Sequence, residues 1–103
     1  MSQEKPDKDY LAAVLALAED SLEKGQIEAT EKLYILALAV ADKLYGPLHP
    51  ETGIVVNEFL FFCEQHDKPI RERQLQDRLK AILVSHYPAI VAPPIPRNYV
   101  SDR

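Results

Sequence analysis

Cys63 and His66 stand three residues apart at the end of a largely apolar run, Ile54-Val55-Val56-Asn57-Glu58-Phe59-Leu60-Phe61-Phe62-Cys63, with His66 just beyond it. On a helix that spacing puts a thiolate and an imidazole on one face, the donor pair a zinc site uses. A site needs more donors than two, and Cys63 falls where a packing residue belongs, so no metal is expected. His49, in Leu48-His49-Pro50-Glu51, is the candidate general base. Base catalysis needs a nucleophile or a carboxylate partner in a recognisable arrangement, and none accompanies it. His86-Tyr87 reads as the close of a helix. There is no phosphate loop, dinucleotide fingerprint or nucleophile elbow. The chain is therefore read as non-enzymatic and free of cofactors. Lys68–Lys80 carries five cationic residues and two carboxylates. That is the charge of a solvated helix face; nucleic acid would require a larger net charge with interleaved aromatics, so no nucleic acid is expected and an acidic protein partner fits better.

These residues sit in 103 residues that are 47% hydrophobic and 27% charged, the composition of one globular domain. No apolar run reaches about 18 residues, and the first eight are polar, so neither membrane insertion nor a leader peptide is expected. A single cysteine fits a reducing, cytoplasmic setting. The net charge of −4 is unevenly distributed. Residues 1–66 carry twelve carboxylates and five lysines; residues 67–103 carry four carboxylates and seven cationic side chains, including all five arginines. Two readings stand: solvated faces, or attraction between the two parts, within one chain or between chains.

Apolar residues recur at three and four throughout, and no segment alternates like a strand. The spacing predicts helices over about 8–24, 26–45, 50–65 and 69–86. Leu11, Val14, Leu15, Ala18 and Leu22 stripe the first. Ile27, Thr30, Leu33, Tyr34, Ala37, Leu38, Ala41 and Leu44 stripe the second. The third is apolar almost all round and must be covered on several sides. Ile70, Leu75, Leu79, Ile82, Leu83 and His86 share one face of the fourth. Gly25 permits the first reversal, Gly46 stops the second helix, and Pro50 with Glu51 starts the third. The fold class expected is all-α, two consecutive antiparallel helical hairpins over 9–87, with a flexible N-terminus (1–8) and a Pro-rich, apolar C-terminal tail (88–103). Leu17, Ala18, Tyr34, Ala37, Phe59, Leu60 and Cys63 are expected to be buried.

Sliding the chain by 42 residues superposes the hairpin patterns, Gly25 falling on Asp67. Gly25–Thr52, with Leu33-Tyr34-Ile35-Leu36-Ala37-Leu38 followed by Leu44-Tyr45-Gly46-Pro47-Leu48-His49-Pro50-Glu51-Thr52 and then Asn57-Glu58-Phe59-Leu60, resembles a tetratricopeptide repeat of the 42-residue, kinesin-light-chain-like type. The likeness spans about residues 10–66. Beyond them the small residue of the fourth helix falls on Glu72, and an insertion of about three residues restores the pattern at Leu75, Leu79 and Ile82. Thr30 stands where alanine is usual.

The resemblance implies a protein-binding module whose concave face holds an extended partner segment. The positions that map to that face are Leu15, Glu19, Leu22 and Glu23 in the first helix, and Ile54, Asn57, Phe61, Glu64 and Gln65 in the third. The lysines and asparagines that clamp a terminal carboxylate in some members are replaced by Leu15, Glu19, Glu58 and Phe61, leaving an apolar and acidic groove. The reading is a small adaptor or assembly factor with a protein partner, open to self-association. The alternatives are a structural subunit embedded in a larger complex and a small regulator acting through its tail. Two hairpins bury little surface. Ile90, Val91, Ile95, Tyr99 and Val100 of the tail are candidates to cover them, on an extended path that at ~3.1 Å per residue reaches roughly 35–40 Å.

Overall fold

The computed structural model describes residues 7–87. They form four helices, α1 (Lys8–Glu23), α2 (Ile27–Tyr45), α3 (Pro50–Gln65) and α4 (Pro69–His86), with no strand among the described residues. The Asp7 carboxylate accepts the Tyr10 amide at 2.8 Å and caps α1. At the other end Gly25 turns left-handed at φ 76°, the Gln26 amide reaches the Ser21 carbonyl and the Gly25 amide the Leu22 carbonyl. These bonds satisfy carbonyls that a helix end leaves bare. The turn recurs 42 residues later, where Asp67 takes φ 56° and the Lys68 amide bonds the Cys63 carbonyl. Aspartate tolerates that conformation better than most residues.

Between the hairpins, Gly46 at φ 103° ends α2. The His49 ring then caps α3, its Nδ1 accepting the Glu51 amide at 3.0 Å while the ring stacks on Tyr45. Pro50 takes the first helical position, where a missing amide costs nothing. The Thr52 hydroxyl, fully buried, donates to the Gly46 carbonyl at 2.7 Å, with the Ala41 carbonyl at 3.3 Å. His49 is thus a cap and Thr52 a latch, and together they set the angle between α2 and α3.

Each helix packs on its neighbours in the chain, α1 on α2, α2 on α3 and α3 on α4; α1 does not approach α4. Short turns make consecutive helices antiparallel. Among the described residues no helix is long and apolar enough to cross a membrane.

The helix bounds repeat at an offset of 42, Lys8–Glu23 against Pro50–Gln65 and Ile27 against Pro69. No insertion separates the second hairpin from the first, which corrects the three-residue insertion expected near Glu72. Glu72 simply occupies the place of Thr30, half-buried instead of buried. Burial follows the same offset. Leu11, Val14, Ala18 and Ser21 are the buried stripe of α1, and Gly53, Val56, Leu60 and Cys63 repeat it in α3. Gly53 lies against Ile82, where an added Cβ would come within 3.4 Å of its side chain, so α3 and α4 approach closely here. In addition α3 has a second buried stripe, Thr52, Val55, Phe59 and Phe62, turned toward α2.

Two expectations fail. Leu17 is 55% exposed, because its counterpart Phe59 is buried by the preceding hairpin and no described helix precedes α1. Ile70 is 77% exposed, because the face α4 presents to the core is carried by Leu75 and Ile82, flanked by Arg71 and Arg78. The remaining residues expected in the core, Ala18, Tyr34, Ala37, Phe59, Leu60 and Cys63, are all buried.

Cationic residues of the second hairpin reach across α3 to carboxylates of α2. Glu31 takes Lys68 at 3.2 Å and Arg71 at 3.1 Å, and Asp42 takes both terminal nitrogens of Arg78. Arg78 also donates to the Pro47 carbonyl, and the His86 ring meets the Leu48 carbonyl at 2.6 Å. The uneven charge along the chain therefore acts within the molecule. Burial alone would raise the Glu31 carboxyl; the hydrogen bonds from Lys68 and Arg71 outweigh it and hold the group below the usual carboxylate value. That contribution is complete at neutral pH and is lost as pH falls through the lowered value.

Candidate functional site

The side chains that α1 and α3 project away from their buried stripes bound a hollow of about 340 Å³. Its floor is Tyr34 of α2, buried beneath, and Leu60. Glu19 of α1 stands on one wall; Asn57, Glu58, Phe61 and Glu64 of α3 stand on the other. Helical spacing explains the α3 wall, since residues 57, 61 and 64 follow one another at four and three and share a face. Phe61 is 61% exposed, and Ile54, two turns earlier, is 53% exposed. Two large apolar side chains seven residues apart are thus held in water on the face opposite the α3 core stripes.

The hollow is electrostatically strained. Burial, and secondarily the nearby Glu19 carboxylate, raise the Glu58 carboxyl above its ordinary value. Burial, then Glu58 and Glu19, raise the Tyr34 phenol. Both shifts have the same causes in the same order, burial first and neighbouring carboxylates second. For Glu58 the folded state holds the proton more tightly than the unfolded chain, so its ionisation costs stability as pH rises through the raised value. Glu58→Gln should therefore melt higher than the parent at neutral pH, and the difference should vanish below the ordinary carboxylate range; thermal melts across pH measure it.

Of the nine residues placed on the concave face by the sequence, the hollow brings together Glu19, Asn57, Phe61 and Glu64. Leu15 and Leu22 are half-buried and pack down on the core, forming support beneath the wall. Glu23, Ile54 and Gln65 are exposed beyond its rim. Tyr34, Glu58 and Leu60 line it without having been selected. The helical register of Glu58 beside Asn57 carried some signal, whereas Tyr34 comes from a different helix and only the packing reveals it. Ile90, Val91, Ile95, Tyr99 and Val100 lie outside the described residues.

The other reactive side chains are used structurally. Burial, and after it the Glu31 carboxylate, push the Cys63 thiol up to about 11, so it stays protonated and unreactive at neutral pH. His66 packs its ring on Phe62 at 4.9 Å. Among the described residues no three His, Cys, Asp or Glu side chains are grouped to hold a metal ion. No protein-family model matches this chain, and neither does any curated protein or solved structure.

Proposed function

We propose that the chain is a non-catalytic protein-interaction module of tetratricopeptide type, an adaptor or assembly factor that holds an extended, basic and apolar segment of a partner between α1 and α3. The observation that carries the reading is Phe61, held in solvent beside a hollow edged by Glu19, Glu58 and Glu64. An exposed aromatic on a rigid helix face is the kind of anchor that interfaces use, because ordering it costs little entropy. The surrounding carboxylates favour lysine or arginine and repel acidic segments. The 42-residue recurrence of the helix starts, of the left-handed turns and of the α1 buried stripe in α3 supports a repeat architecture, with the histidine-capped turn as its joint.

The test is affinity for a peptide of alternating leucine and lysine, with a leucine–glutamate peptide as control. Phe61→Ala and Glu19→Lys should each weaken the basic peptide by about tenfold, roughly 1.4 kcal/mol. Binding should also weaken as pH falls through the raised Glu58 value, because the protonated carboxyl no longer attracts the cation. Unchanged affinity in both variants, or equal binding of the acidic peptide, removes the groove from the binding site.

A further inference from the structure

The second buried stripe of α3 has a bare counterpart. Thr52, Val55, Phe59 and Phe62 are covered by α2; 42 residues earlier the same positions of α1 are Tyr10, Ala13, Leu17 and Asp20, and all four are exposed. Tyr10 and Leu17 are 47% and 55% exposed. The other half of this joint is bare at the opposite end. On α2 the residues turned toward α3 include Tyr34, Ala37, Leu38, Ala41 and Tyr45. Their counterparts are Gln76, Leu79, Lys80 and Leu83 on α4 and Tyr87 at its C-cap, and every one is less covered than its equivalent. Among the described residues the molecule thus carries the two halves of its own α2–α3 joint, unpaired, on α1 and α4.

We propose that these halves join between copies, α1 of one chain packing on α4 of the next as α3 packs on α2 within a chain. The charges agree. Asp20 stands in the bare row of α1, a helix with four carboxylates and one lysine, and Lys80 stands in the bare row of α4, whose Arg71 and Arg78 are already held by Glu31 and Asp42 of their own chain. Because the two faces differ, the contact is head-to-tail, and it propagates into an open row or closes into a ring instead of stopping at a two-fold dimer. Each added copy extends the stack of hairpins, and each joint buries apolar surface that a single pair of hairpins leaves wet.

Sedimentation velocity over a concentration series tests this with three proteins: the full chain, Leu17→Asp, and the double variant Lys80→Glu, Tyr87→Ser. All three positions are exposed, and circular dichroism melts establish that the variants fold. The parent should grow beyond two chains as concentration rises, and less so at high salt. Each variant alone should stay a single chain. Mixed one to one, they should form a dimer and nothing larger, since each supplies the half the other lacks. The parent staying a single chain at every concentration overturns the proposal. So does a dimer abolished by Leu17→Asp that mixing does not restore, which would place α1 against α1. A monomer whose melting temperature drops with Leu17→Asp overturns it too, since the face would then be covered from within the chain. The proposal is independent of the groove: Phe61→Ala should leave assembly unchanged.

Discussion

Phe59→Ala should destabilise the chain by about 3–5 kcal/mol, the usual cost of emptying a buried phenylalanine site. Phe59 is 1% exposed, and its ring stacks on Tyr34 at 5.3 Å, tilts against Phe62 at 6.4 Å and lies 5.6 Å beneath the Arg71 guanidinium. Removing it opens a cavity between α2 and α3 and strips the apolar surface from under Arg71, the residue that reaches back to Glu31. For a domain of this size each kcal/mol corresponds to about 4–8 °C, so the melting temperature should fall on the order of 20 °C. Phe61→Ala, two residues along the same helix, is the internal control. Its ring is mostly in water, and the change in stability should stay within about 0.5 kcal/mol. Equal melting of the two variants would show that α3 is turned differently from the arrangement described.

Ala37→Leu should cost about 1–3 kcal/mol by the opposite route, overpacking. Ala37 is fully buried in α2 among Val14 of α1 and Val55 of α3, the point where three helices meet. A methyl group is all that fits while α1 and α3 lie on the same helix, and three added carbons must push one of them away. Chemical denaturation of the variant measures the cost; a midpoint equal to the parent's would show that α2 does not have close neighbours on both flanks.

Much of the fold was legible in the sequence. Helix bounds came within a residue, because Asp7, Gly25, Gly46, Pro50 and Pro69 act locally and announce themselves whatever surrounds them. Leu17 was not legible. Its spacing differs little from that of a core residue, and its exposure depends on whether another helix lies beside α1, which no local pattern encodes. Ile70 misled for a related reason: apolar type suggested burial, while the register of α4 is set by Leu75, Ile82 and the ion pairs of Arg71 and Arg78. Glu19, Asn57, Phe61 and Glu64, which the repeat resemblance assigns to one face, do line one hollow, but Tyr34 reaches it from beneath, from an element whose sequence pattern points only to its own core contacts.

The absence of any approach between α1 and α4 bears on how the chain reaches its native state. Backbone packing joins only successive helices, and apart from the ion pairs that tie α4 to α2 the native contacts join residues close in sequence. Little loop-closure entropy is spent before stabilising contacts form, and such topologies fold fast. The first hairpin needs nothing from the second to close its own turn, which is complete by Gln26. During synthesis α1 and α2 can therefore pair while α4 is still being made, and α3 docks on a surface that is already in place.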